Sequence, residues 1–154
     1  MKKVRLFASV LVTTVMIAVG VAAAAPAQAS VPFPECRYMT ASTTASDGVP
    51  GPLFYKHMQC FARYGGVGGA YAYTGALDGV AGVNTWKGVQ ARLALFGMYS
   101  GAIDGIPGTG TYSGLQKYAA AYGMPRYTGP IDGVPGPNTY RSLAGTWNYD
   151  FSGA

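Results

Sequence analysis

The chain has 154 residues with 11 Lys and Arg against 6 Asp and Glu, one His and two Cys. That inventory is too thin for a zinc centre, which needs several imidazole or thiolate ligands, and thin for a carboxylate-pair hydrolase. Three basic residues fall within the first five positions, so the remainder carries eight basic against six acidic side chains. A net of +2 with no cluster excludes a nucleic-acid-binding face.

Met1-Lys2-Lys3-Val4-Arg5 is a basic start, and the stretch 6–21 is apolar without a charge. Ala27-Gln28-Ala29 before Ser30 fits a small-x-small cleavage site, so 1–29 reads as a secretory signal peptide. An uncleaved anchor fits less well, because the apolar run is short for a membrane span and its flank is Ala-rich. The expectation is export to the cell exterior or wall, with no stable membrane association after cleavage. In an exported chain, Cys36 and Cys60 are expected to pair. Such a bridge ties the Pro-, Ser- and Thr-rich stretch 31–47, expected to be extended, to the first helix, and contributes roughly 3–4 kcal/mol. A reactive thiol would have His57 as its sole imidazole partner.

A short phrase then recurs four times, as Asp47-Gly48-Val49-Pro50-Gly51, Asp78-Gly79-Val80-Ala81-Gly82, Asp104-Gly105-Ile106-Pro107-Gly108 and Asp132-Gly133-Val134-Pro135-Gly136. A period of roughly 25–30 residues indicates one supersecondary unit stacked on itself, since so short a unit cannot bury its own apolar face. Asp-Gly marks a tight corner: the carboxylate accepts from amides just downstream, and glycine takes the positive φ that a Cβ would penalise. The second glycine stands where a helix begins, with Pro52 and Pro137 in the first-turn position that needs no N–H. Each corner offers one carboxylate, whereas a calcium loop needs several, so Asp47, Asp78, Asp104 and Asp132 read as structural, with no metal or cofactor.

After each corner an apolar stripe runs at helical spacing. Four residues past the second glycine stand Tyr55, Trp86, Tyr112 and Tyr140, and seven past it Met58, Val89, Leu115 and Leu143. Eleven past it come Ala62, Leu93, Ala119 and Trp147. That rhythm predicts half-buried helices over 51–64, 83–96, 109–122 and 137–144. Gly145 is expected to end the last one, leaving an aromatic tail over 146–154. The Gly-, Ala- and Tyr-rich stretch 65–72 reads as a connection. The expected organisation is therefore an irregular segment plus a degenerate half-repeat over 30–72, and a three-helix module over 73–145. The fold class is all-α, a small helical bundle of tandem loop–helix half-repeats.

Within this array stands Val89-Gln90-x-x-Leu93-x-x-x-Gly97-x-Tyr99-x-Gly101-x-Ile103-Asp104-Gly105-Ile106-Pro107-Gly108-x-x-Thr111-x-x-x-Leu115-Gln116. Gly123-Met124 follows, then Ile131-Asp132-Gly133-Val134-Pro135-Gly136-Pro137-x-Thr139-x-x-x-Leu143. This pattern resembles the peptidoglycan-binding domain of cell-wall hydrolases, a three-helix module with a duplicated Asp-Gly-x-x-Gly-x-x-Thr loop. The resemblance covers some 60 residues. It departs from the family where Tyr118 and Ala119 stand in place of Phe-Gln.

The resemblance implies a non-catalytic module that binds peptidoglycan or another wall polymer. Tyr73, Tyr99 and Tyr127, which lead into the last three corners, are candidates either to pack over the turn or to present a ring to a sugar. Arg92, Lys117 and Arg126 are the nearest cations, and Gln116 is either structural or faces ligand. The helix starts also have free amides for an anion, such as a stem-peptide carboxylate or wall phosphate. The alternative is a secreted interaction or regulatory protein that binds a protein partner through the same fold. Catalysis is not expected, because Glu35 and Asp150, the two carboxylates outside the corners, lie far apart in the chain.

Overall fold

A computed structural model describes residues 33–36, 47–66 and 71–151. The expected signal peptide at 1–29 and most of the expected extended stretch lie outside the described residues. Among them the structure is all-helical, with no strand: α1 (Pro52–Arg63), α2 (Val83–Leu95), α3 (Thr109–Tyr122) and α4 (Pro137–Phe151). Short 3-10 turns occupy Pro34–Cys36 and Tyr64–Gly66.

The helix starts follow the local chemistry. Gly51, Gly82 and Gly108 cap the first three helices in extended conformation, and none has a side chain with which to cap the first turn. The helix ends agree with the periodicity except in α4, which runs through Gly145 to Phe151 rather than stopping. Gly145 has a packing role instead of a terminating one: a Cβ there would lie 1.6 Å from the Met124 carbonyl oxygen. The loop between α3 and α4 presses on the helix at that point, and residues 146–151 of the expected tail form its last turns.

The helices form a ring: α1 packs on α2 and α4, and α3 packs on α2 and α4. The helices α1 and α2, on either side of the stretch 65–72, pack together within one compact unit. The stripe positions fill the centre. Met58, Val89, Leu115 and Leu143 are 3% exposed or less, and Ala62, Leu93, Ala119 and Trp147 are fully buried. Trp147 replaces the small residue found at its position in α1 and α3, and it reaches across to Phe54 and Phe61, with ring centroids 5.0 and 5.4 Å apart. Burying large side chains of this kind contributes roughly 1.5–3 kcal/mol each before the cost of ordering them.

The corners lock the ring. Gly79, at φ +81°, backs onto the Pro52 carbonyl at the start of α1, and Gly105, at φ +79°, onto the Val83 carbonyl at the start of α2. Gly133 meets Thr109 at the start of α3. Gly48, which no helix precedes among the described residues, meets Pro137 at the start of α4, where Arg141 Nη2 donates to the Asp47 carbonyl (3.0 Å). The first corner thus closes the circle on the last helix. Outside the ring, Pro34–Cys36 is held to α1 by the Cys36–Cys60 disulfide, by the Glu35–Arg63 ion pair and by Phe33 set edge-on to Tyr64.

Candidate functional site

Each corner begins as an Asx turn. Asp47, Asp78, Asp104 and Asp132 accept through Oδ1 from the amides of Val49, Val80, Ile106 and Val134, at 2.8–2.9 Å. The glycine after each has φ between +74° and +83°, the region that favours glycine.

In the last three corners a fully buried glutamine from the preceding helix grips the turn from beneath. Gln90 Nε2 donates to Asp104 Oδ1 (2.9 Å) and the Ile106 carbonyl (3.1 Å), while Gly105 N–H donates to Gln90 Oε1 (2.8 Å). Gln59 does the same to Asp78, Val80 and Gly79, and Gln116 to Asp132, Val134 and Gly133. One amide orientation satisfies all three partners, since the carboxylate and carbonyl need a donor and the glycine N–H needs an acceptor. Gln59, Gln90 and Gln116 are inaccessible to solvent. Gln116, named above with two readings, spends its amide on the corner of Asp132.

These bonds lower the carboxylate pKa values. Asp78 and Asp132 are held below the usual range first by their glutamine and then by the backbone amide. For Asp104 the amide of Ile106 comes first and Gln90 second. The anionic form of each is therefore the one the corner is built around.

The tyrosines that lead into these corners act as hoops. Tyr73, Tyr99 and Tyr127 donate through their hydroxyls to the carbonyls of Ala76, Ala102 and Pro130, at 2.6, 2.6 and 2.9 Å. Each ring folds over the glycine two residues on: a Cβ at Gly75, Gly101 or Gly129 would fall 2.4–2.6 Å from the hydroxyl. This accounts for the Tyr-x-Gly spacing. Tyr73 (6% exposed) and Tyr127 (9%) are mostly spent on packing, while Tyr99 keeps part of its ring at the surface.

Two clefts open where a hoop meets the start of the next helix. One, of about 360 Å³, is bounded by Met98, Tyr99, Gly101, Gly110, Ser113 and Lys117. The other, of about 440 Å³, is bounded by Tyr127, Gly129, Gly136, Asn138 and Arg141. They are equivalent places: Tyr99 and Tyr127, Gly101 and Gly129, Gly110 and Asn138, and Ser113 and Arg141 are each 28 residues apart. Each cleft combines a tyrosine edge, an exposed first helical turn and one cation. Lys117 was legible as a nearby cation. Arg141 was not, although its position, five past the second glycine, also carries Lys56 and Lys87.

The other candidates lie elsewhere. Arg126 is exposed in the α3–α4 connection and lines neither cleft. Arg92 is near the C-terminal end of α2, where its guanidinium lies over Phe96, Tyr64 and Phe61 and donates to the Tyr64 carbonyl (3.0 Å). The aromatics four past the second glycine belong to the core. Trp86 is buried, and Tyr55, Tyr112 and Tyr140 are half-buried around a residual cavity of about 10 Å³, room for at most one water. Burial pushes the Tyr140 phenol up to about 12. Among the described residues no group of three or more His, Cys, Asp or Glu is placed to hold a metal ion. Glu35 pairs with Arg63, and Asp150 has no second carboxylate beside it in the cavity that it lines. No protein-family model, curated protein or solved structure matches the chain.

Proposed function

We propose that the protein is a secreted, non-catalytic module of tandem loop–helix units that binds bacterial cell-wall peptidoglycan. The observation that carries this reading is the pair of clefts at corresponding places, each with a tyrosine, an exposed helix start and a cation. The cation comes from a different helix position in each. A polymer that alternates sugar and peptide presents its groups at regular intervals, and a protein with repeated weak sites gains avidity on such a lattice. In the first cleft the part-exposed Tyr99 ring gives contact area for a sugar face, and in the second the edge of Tyr127 leaves a narrower strip. The open amides of the first helical turn, with Lys117 or Arg141, suit a peptide carboxylate. The resemblance of the Asp-Gly-x-x-Gly-x-x-Thr corners to the cell-wall-binding module points the same way, as does the disulfide, which suits an oxidising exterior.

The test is co-sedimentation with purified insoluble cell wall. Wild-type protein should pellet, and Lys117→Ala, which removes an exposed side chain, should lower the bound fraction several-fold without changing the melting temperature by more than a few degrees. Absence of pelleting at every salt concentration, with capture of a specific secreted protein instead, would replace the wall polymer by a protein partner.

A further inference from the structure

The C-terminal ends of the helices carry a second concavity of different chemistry. A cavity of about 330 Å³ lies among Phe61, Phe96, Tyr118 and Phe151, with Arg92 and Asp150 on its lining. That volume is at the lower end of the range for small-molecule sites. Its walls are aromatic rings already packed on one another, Phe61 on Tyr118 at 4.9 Å and Phe96 on Tyr118 at 5.4 Å, so the recess is held open by rigid side chains.

The two charges are placed for a ligand rather than for each other. Arg92 is clamped by three rings, the nearest being Phe96 at 4.8 Å, and by its bond to the Tyr64 carbonyl. Its Nε is nevertheless buried without a hydrogen-bond partner, an unusual state for a guanidinium. Asp150, in the last turn of α4, feels the charge of Arg92 but makes no direct ion pair with it. Partial burial raises the Asp150 pKa, against the opposing pull of Arg92, while the residue as a whole stays exposed. A held cation and a separate anion on one lining, with aromatic walls beside them, match a molecule that carries both charges at one end and an apolar body at the other.

We propose that this cavity is a binding site for a small zwitterion of the apolar α-amino-acid class, with its carboxylate on Arg92, its ammonium on Asp150 and its side chain among the rings. The site is independent of the clefts that serve the wall polymer, since it shares no residue with them. With so few contacts the dissociation constant should be on the order of 1 mM.

Three probes test it by NMR titration of the aromatic signals of the purified protein. Phenylalanine carries both charges, 3-phenylpropionate lacks the ammonium and phenethylamine lacks the carboxylate. Phenylalanine should bind about tenfold more tightly than either truncated probe, because each lost charge leaves one protein group unanswered. Asp150→Asn should cancel its advantage over 3-phenylpropionate. That variant changes an exposed side chain and should fold, and it should leave wall pelleting unchanged. Equal affinity for all three probes, an undiminished preference in Asp150→Asn, or no shift at about 20 mM phenylalanine would each overturn the proposal. Failure to pellet with cell wall would overturn only the polymer reading.

Discussion

His57 makes the stability of the fold depend on mild acid. It lies in α1 at 2% exposure, stacked near Phe151 at 6.1 Å, with Nε2 buried and unpartnered. Burial disfavours the imidazolium and lowers the pKa from 6.5 to about 4. With the folded value below the unfolded one, the neutral ring contributes stability that is complete above about pH 6.5 and is lost as pH falls toward 4. Between pH 7 and pH 5 the linkage relation gives a loss of about 2 kcal/mol from this one group, a sizeable part of a small domain's stability. The assay is urea denaturation at both pH values for the wild type and for His57→Leu, which cannot titrate. The drop from pH 7 to pH 5 should shrink by about 2 kcal/mol in the variant. An equal drop in both proteins would show that the imidazole is accessible to protons when folded, and the reasoning from burial would fail.

Replacing Gln90 by Leu should cost about 3 kcal/mol by chemical denaturation, because Gly105 N–H, the Ile106 carbonyl and Asp104 lose their shared partner while the corner stays partly buried. Gly145→Ala should destabilise despite the gain of roughly 1 kcal/mol in helix propensity, since its Cβ would collide with the Met124 carbonyl. Gly82→Ala, where a Cβ meets nothing within 4 Å, should change the melting temperature little. Removing the Cys36–Cys60 bridge, whose partners are 24 residues apart, should lower stability by about 3 kcal/mol, read as a fall in denaturation midpoint under reducing conditions.

Much of the architecture could be read from spacing, because corners and stripes are local codes. Asp-Gly announces a positive φ, and the apolar positions seven and eleven past each second glycine face inward in all four helices. The last two turns of α4 escaped that code. A glycine is a terminator by propensity, and only the close approach of Met124 shows that Gly145 serves packing instead. Gln116 was equally ambiguous, since a helical glutamine reads the same whether it grips a loop or awaits a ligand. Its burial and three convergent partners are tertiary facts that no spacing announces. The tyrosine hoops show how two expected roles divide, with Tyr73 and Tyr127 mostly packing and Tyr99 left with a face at the surface. Arg92 reads in the sequence as a cation near the cleft, yet its place depends on α1 and α2 meeting, a tertiary fact that no local pattern carries.

The first corner, docked on the last helix, has a topological corollary. Phe33 and Phe151, at opposite ends of the described chain, both lie against Tyr64, with ring centroids 5.1 and 6.2 Å from it. A short linker would join them, and new ends could be opened in a connection away from the corners while the disulfide and all four Asx turns remain within the permuted sequence. Such a circular permutant should fold, because a closed cycle of similar segments has no obligatory starting point.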